Sequence, residues 1–133
     1  MARLLRAGEK PLLWVGSSRE DLLRFPEAVK DNIGSALSLA QFGGKHPAAK
    51  PWKGEGPGVF EVVDDLMGNT YRAVYTVRFA ENSYVLHAFQ KKSPKGIKTA
   101  QRDVELVGAR LKLARQHYLA RQHYKDHYGK GDA

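Results

Sequence analysis

The sequence predicts an α+β fold, in which an N-terminal strand and helices pack on a small antiparallel β-meander and a C-terminal helix follows. Three observations point to this class: an apolar stripe at helical spacing in the first third of the chain, three consecutive extended segments in the middle, and a second helical stripe after them. Sequential strands with short connections form an antiparallel meander most economically. We expect a single domain over residues 1–133, with a core at about 11–114 and a basic tail containing His and Tyr at 115–133.

The N-terminal part begins with a short strand, because 11–16 is an apolar run closed by glycine. Ser17 and Glu20 have the spacing of a capping box, which predicts a short helix whose first amides these two side chains satisfy. Pro26 then starts a second helix, since proline fits the first helical turn. That helix carries one apolar stripe and stops at Gly43-Gly44. The stripe consists of Val29, Ile33, Ala36, Leu37 and Ala40.

A loop and the meander follow. Residues 45–58 are rich in proline and glycine, which predicts a loop with neither strand nor helix. Strands are expected at 59–63, 70–79 and 83–90, with a turn at Gly68-Asn69. In the second strand, alternation places Tyr71 and Tyr75 on one face and Arg72 on the other.

Thr99 is expected to cap the last helix. The apolar stripe of that helix runs over Val104, Val107, Leu111 and Ala114 and fades where the tail begins. In the tail, His123 and His127 are one helical turn apart, but the only nearby carboxylate is Asp126. We therefore expect no metal site, and no motif calls for a cofactor.

The charge of the chain suggests a polyanionic partner. Lys and Arg number 22 and Asp and Glu number 14, so the net charge is 22 − 14 = +8. Nearly all of this excess follows His87. The absence of cysteine excludes disulfides, thiol catalysis and thiolate zinc sites. The first ten residues lack the apolar core of a signal peptide and no run is long enough to span a bilayer, so we expect a cytoplasmic protein without a membrane partner.

Arg72 is the most informative single position. A guanidinium offers a planar fork that grips a phosphate with two hydrogen bonds, although a strand arginine can also pair with Glu61 on the neighbouring strand. The two interpretations are compatible, because a carboxylate can orient a phosphate-binding arginine. A hairpin at 80–82 places Arg72 opposite Gln90 or Lys91, give or take one residue. The other cations expected near this sheet end, unless they are only solvated charge, are Lys92, Lys95, Lys98 and Lys53.

His87 is a second candidate for chemistry. Alternation places it on the same face as Val85, Phe89 and Lys91, and its ordinary pKa suits acid/base work. The other interpretation is a packed, hydrogen-bonded histidine, which is commoner for a lone histidine in a strand.

Two segments together resemble a known family. They are Gly68-Asn69-Thr70-Tyr71-Arg72-Ala73-Val74-Tyr75 and Val85-Leu86-His87-Ala88-Phe89-Gln90-Lys91-Lys92-Ser93-Pro94-Lys95, preceded by Lys53-Gly54 and Val59-Phe60-Glu61. With the order of the helices, they are similar to the phage-derived, HigB-like branch of the RelE/ParE toxin superfamily over roughly 11–114.

The resemblance implies a RelE/ParE-like fold and the toxin of a type II toxin–antitoxin pair. Such toxins are metal-independent endoribonucleases (mRNA interferases), free or on the ribosome, and a helix-turn-helix antitoxin neutralises them. In this family the RNA 2′-hydroxyl attacks the adjacent phosphate. Position by position, Arg72 matches the arginine at the scissile phosphate, Lys91 and Lys92 match the basic strand end, and Lys53 matches the loop lysine.

Four further residues have expected roles, and the sequence departs from the family pattern at two points. Glu61 and His87 are the acid/base candidates, and Lys95 and Lys98 would bind RNA. Glu61 is followed by Val62-Val63 where family members often have Leu-Arg, and no tyrosine stands at a clear catalytic position. Two alternatives on the same fold therefore stay open: a ParE-like inhibitor that binds DNA gyrase without catalysis, and a non-toxic phage-derived module that binds nucleic acid.

Overall fold

The computed structural model describes residues 4–91 and 99–128. Three of the predicted cations, Lys92, Lys95 and Lys98, lie outside the described residues. The elements are, in chain order, β1 (Leu12–Trp14), α1 (Ser18–Leu23), α2 (Glu27–Gln41), β2 (Ala49–Pro51), β3 (Val59–Leu66), β4 (Asn69–Thr76), β5 (Ser83–Lys91) and α3 (Gln101–Tyr128). In the described part of the chain, no helix combines the length and apolarity needed to cross a membrane.

The five strands form one mixed sheet in the order β1-β5-β4-β3-β2. The antiparallel meander β3-β4-β5 confirms the predicted α+β architecture, and β1 adds to it in parallel beside β5. The prediction that 45–58 is only a loop was wrong, because β2 pairs antiparallel with β3 inside it. This strand lies at the sheet edge, where Pro51 needs no partner for its missing N–H.

Helices α1 and α2 cover one face of the sheet. The predicted stripe is confirmed: Val29, Ile33 and Ala36 are completely buried. They pack with Tyr71, Ala73, Tyr75 and other side chains of the facing strands. Pro26 immediately precedes α2, as expected. The predicted capping box at α1 was wrong, because the Ser17 hydroxyl donates to the Asp21 carboxylate and no side chain caps the helix.

Helix α3 covers the other face. Val107, Leu111 and Ala114 are buried against this face, which confirms the second stripe. The helix begins at Gln101, and the carbonyl of Ala100 accepts its first hydrogen bonds, so the cap is one residue later than the predicted Thr99. The residues predicted as a tail continue this helix to Tyr128. Tyr118 stacks on Phe79 with 5.2 Å between ring centroids, so part of the tail belongs to the fold.

A bulge interrupts β5. Val74 pairs with His87, but the next residue, Tyr75, pairs with Val85, which leaves Leu86 as an extra residue on β5. Leu86 packs on the α3 side of the sheet and Val85 on the α2 side. The prediction that His87 shares a face with Val85 was therefore wrong: the bulge reverses the alternation, and His87 contacts α3.

Candidate functional site

A cleft of about 570 Å³ lies between the α3 side of the sheet and the beginning of α3. It brings together three of the residues singled out from the sequence, Lys53, Glu61 and Arg72. Its remaining lining comes from Lys50, Pro51, Trp52, Thr99, Gln101 and Val104. The cleft thus combines cations from the sheet and the segment after β2 with uncharged side chains around the beginning of α3.

At the sheet side of the cleft, two cations share one carboxylate oxygen. Arg72 Nη1 donates to Glu61 Oε1 at 3.1 Å, and Lys50 Nζ lies 3.5 Å from the same oxygen. The predicted pairing of Arg72 with Glu61 is therefore present. Strand register explains the cluster, because Lys50 stands directly opposite Glu61 and Arg72 is its diagonal neighbour on β4.

Lys50 was missed in the sequence because its segment was predicted to be a loop. The signal that could have found it is weak. Successive side chains of Ala49, Lys50 and Pro51 point to opposite faces, and only the pairing with β3 decides which face Lys50 is on. A Lys two residues from a Trp in a Pro/Gly-rich segment does not by itself indicate a strand.

Arg72 is held firmly but not saturated with hydrogen bonds. Its side chain is 18% exposed and that of Glu61 is 8% exposed, so the pair is largely withdrawn from water. The Nε of Arg72 is buried and has no hydrogen-bond partner among the described residues. Since a guanidinium carries five N–H donors, this side chain keeps donors beyond the one that Glu61 uses.

Lys91 joins the same electrostatic group. On β5, Phe89 stands opposite Arg72, within the predicted tolerance, and Lys91 stands opposite Thr70. Burial lowers the pKa of Lys91, and the positive charge of Arg72 lowers it further, while Asp103 and Glu61 act in the opposite direction. The protonation of Lys91 is therefore coupled to the pair in the cleft.

His87 has a different environment. It is 6% exposed, and its Nε2 lies 2.8 Å from Asp103 Oδ1 on α3. Its ring stacks on Phe89 with 4.6 Å between centroids, and Nδ1 is buried without a hydrogen-bond partner among the described residues. These contacts agree with the interpretation of His87 as a packed, hydrogen-bonded histidine. They connect β5 to the first turn of α3.

A second polar contact, absent from the sequence predictions, lies farther along α3. The hydroxyl of Tyr84 is 2.8 Å from Nδ1 of His117 and accepts a hydrogen bond from Asn82 at 3.2 Å. Burial raises the pKa of Tyr84. His117 lies about 24 Å along the helix axis from Gln101, so this contact does not belong to the cleft. No group of three or more potential metal ligands occurs within residues 4–91 and 99–128.

The fold and the cleft define a small α+β protein with a cation-rich site around a buried carboxylate. A family model described as "Phage derived protein Gp49-like (DUF891)" matches residues 20–112, which include α2, the meander and the cleft. The chain belongs to this phage-derived Gp49-like family.

Other comparisons add little. No curated protein matches the chain significantly. The structure is similar to a chain in the crystal structure of the toxin–antitoxin complex RelBE2 from Mycobacterium tuberculosis. That match has 17% sequence identity and a TM-score of 0.42, and it covers 62% of this chain and 99% of the other.

Proposed function

We propose that this protein is the toxin of a type II toxin–antitoxin pair and acts as a metal-independent endoribonuclease of the HigB-like branch. The observation that carries the proposal is the cleft, in which Arg72 and Lys50 converge on the Glu61 carboxylate and Lys53 lines the same space. Membership of a phage-derived family and the resemblance of the strand motifs support it. RNA supplies what this cleft would bind, a phosphate flanked by a hydroxyl nucleophile.

The proposed reaction needs only the substrate and protein side chains. The 2′-oxygen forms a bond to the adjacent phosphorus while the bond from phosphorus to the 5′-oxygen breaks, which leaves a 2′,3′-cyclic phosphate and a 5′-hydroxyl. A base must take the 2′-hydroxyl proton and an acid must give one to the leaving oxygen. Glu61 is proposed as the base, because its carboxylate lines the cleft beside Arg72.

The acid is proposed to be Lys91, since a lysine whose pKa is lowered releases its proton more readily. His87, the other candidate from the sequence, would first have to break its contact with Asp103. Arg72 and Lys53 would stabilise the charge of the pentacoordinate transition state. Lys92 is assigned to the same group from the resemblance, and Lys95 and Lys98 to the flanking RNA.

The first test compares the wild type with Arg72→Ala in a bacterial host, with RNA ends mapped by primer extension. New RNA ends are expected with the wild type, and the variant should reduce them about 10²- to 10³-fold, the usual effect of removing one transition-state donor. Arg115→Ala is the matched control, because Arg115 is exposed and does not line the cleft. It should cleave like the wild type.

Other outcomes favour the alternatives. Intact RNA together with DNA-damage signalling would indicate a ParE-like inhibitor of gyrase, and unimpaired growth would indicate a non-toxic nucleic-acid-binding module. Equal cleavage by wild type and Arg72→Ala would remove the cleft from the reaction.

The proposed partner that controls the toxin is a helix-turn-helix antitoxin with an acidic segment. Cations with a largely buried carboxylate between them favour an acidic chain over a neutral one. If the gene beside this one encodes such a protein, co-expression should restore growth. Failure to co-purify with the wild-type toxin would contradict this partner.

A further inference from the structure

The two sides of the cleft differ in chemistry. The sheet side presents the positive charges of Lys50, Lys53 and Arg72 around the Glu61 carboxylate. The α3 side presents Thr99 and Gln101, which are polar but uncharged. Pro51, Trp52 and Val104 provide apolar surface between them. A nucleotide has the same division, with a charged phosphate at one end and a flat, largely apolar base with a polar edge at the other.

We infer that Gln101 is a specificity-determining residue that reads the base next to the bound phosphate. The inference rests on the proposed ribonuclease function and names the part of the RNA that the α3 side of the cleft recognises. A carboxamide carries both donors and an acceptor, which matches the mixed edge of a base, whereas a phosphate only accepts hydrogen bonds. Gln101 can therefore use both its N–H groups and its carbonyl oxygen on a base, whereas on a phosphate only its N–H groups would be used.

The geometry leaves this amide available. Gln101 is exposed, and its Nε2 donates to Glu105 at 3.3 Å, a long hydrogen bond that uses only one of the two N–H groups. Among the described residues, no hydrogen bond to the carbonyl oxygen or the second N–H of Gln101 is present, so these groups are open to a ligand. The position of Gln101 also suits a role in recognition. It is the first residue of α3, and the packing of that helix on the sheet fixes the backbone from which its side chain extends.

The volume of the cleft and the side chains that line it are compatible with a bound nucleotide. At about 570 Å³ the cleft lies within the range of roughly 300–1,000 Å³ typical of ligand sites. Single-stranded RNA is read by splaying bases out into such pockets, where their edges meet side-chain hydrogen-bonding groups. Trp52 is 5% exposed, and its indole N–H is buried without an acceptor among the described residues, so the wall retains one unsatisfied donor.

The first experiment measures base preference in cleavage. RNA ends produced by the wild type, Gln101→Ala and Gln116→Ala are mapped over the same transcripts. The ratio of cleavage beside the preferred base to cleavage beside the others should fall about fivefold or more in Gln101→Ala, the loss expected for direct base contacts. Gln116→Ala removes an equally exposed glutamine from the same helix, outside the cleft, and should retain the wild-type ratio.

The second experiment measures binding without cleavage. Four 2′-O-methylated homotetranucleotides, which lack the attacking hydroxyl, are titrated against the same three proteins. The wild type should bind one of the four at least fivefold more tightly than the weakest, and Gln101→Ala should lose this discrimination while Gln116→Ala keeps it.

The outcomes separate the inference from the proposed function. Cleavage with an unchanged base ratio in Gln101→Ala overturns the inference and leaves the ribonuclease intact. Equal binding of all four oligonucleotides by the wild type does the same. Absence of any cleavage by the wild type overturns both. Gln101 is exposed, so its replacement should not affect folding, which circular dichroism verifies.

Discussion

The two faces of the sheet differ in what they bury. The face under α2 buries mainly hydrocarbon and aromatic rings, with Ile33 and Val29 completely enclosed, and the buried Ser18 and Gln41 beside it are hydrogen-bonded to backbone carbonyls. The face under α3 buries hydrocarbon too, but it also encloses Glu61 and His87, and Arg72 lies there largely out of water. Among the described residues, three buried polar atoms without a hydrogen-bond partner lie on this second face: Trp52 Nε1, Arg72 Nε and His87 Nδ1. Alternation along β5 places a fourth, Ser83 Oγ, on the α2 side.

The two faces therefore contribute differently to stability and to chemistry. Unsatisfied buried polar atoms cost free energy, so a face that carries them depends on stabilisation from elsewhere. The apolar clusters on both faces provide that stabilisation, because packed side chains at 0% exposure contribute the full hydrophobic term, and the larger cluster lies under α2. We therefore expect core substitutions under α2 to change the free energy of unfolding most. Substitutions under α3 should change the coupling energies of polar side-chain pairs and the proposed activity.

The largest effect on stability is expected from Ile33→Ala. Removing this completely buried side chain should lower the free energy of unfolding by about 2–5 kcal/mol, through lost burial and the cavity left behind. Leu39→Ala on the same helix is the control, because Leu39 is 42% exposed and should cost much less. Urea unfolding measures both. Equal losses for the two variants would contradict the assignment of Ile33 to the stabilising core under α2.

A smaller effect is expected from the His87–Asp103 contact on the other face. His87→Ala and Asp103→Ala should each cost about 1–3 kcal/mol, because each leaves a largely buried polar partner unpaired. The double variant should cost less than the sum of the two, since no unpaired partner remains. Urea unfolding of all four proteins gives the coupling energy. Simple additivity would show that the contact contributes nothing to holding α3.

The smallest predicted effect concerns the pH dependence of cleavage. Because the pKa of Lys91 is lowered from 10.5, the alkaline limb of kcat/KM should lie below pH 10.5. The same shift makes the unfolded chain bind more protons between the two pKa values, so the contribution of Lys91 to stability rises with pH there.

Two lysine variants check this prediction. Lys91→Gln should remove the alkaline limb along with most of the activity, whereas Lys112→Gln, which changes an exposed lysine of α3, should leave the profile unchanged. A limb that persists in Lys91→Gln would assign the proton to another group.

The sequence was sufficient for most of the fold because its signals were local. The stripe of α2 and the alternation of β4 follow from neighbouring residues, and the structure agrees with both. The turn predicted at Gly68-Asn69 lies one residue earlier, at Met67-Gly68, and Asn69 begins β4. The failures were non-local. Strand β2 exists only through its pairing with β3, and the helix beyond Ala114 is held by contacts such as Tyr118 on Phe79.

The same distinction applies to the candidate site. Arg72 and Glu61 could be paired from strand alternation and hairpin length, since both are properties of adjacent segments. Lys50 could not be found, because its place depends on an edge strand hidden in a Pro/Gly-rich segment. Gln101 had no sequence signal, because only the packing of α3 brings the first turn of that helix to the cleft. Lys92, Lys95 and Lys98 lie outside the described residues, so their roles stay predictions.

The extra residue at Leu86 shifts the side-chain alternation of β5 by one position, so each residue after it faces the opposite side from the one that regular alternation would give. Tyr84, before the bulge, and Leu86 itself face α3, and after the bulge His87 and Phe89 face α3. Lys91, two residues after Phe89, therefore lies on the same face as Phe89, where the charge of Arg72 acts on it. Arg110 donates to the Leu86 carbonyl at 3.0 Å and so holds the insertion in place. If the same residues alternated regularly from Tyr84 without a bulge, Lys91 would face the α2 side of the sheet, away from Arg72.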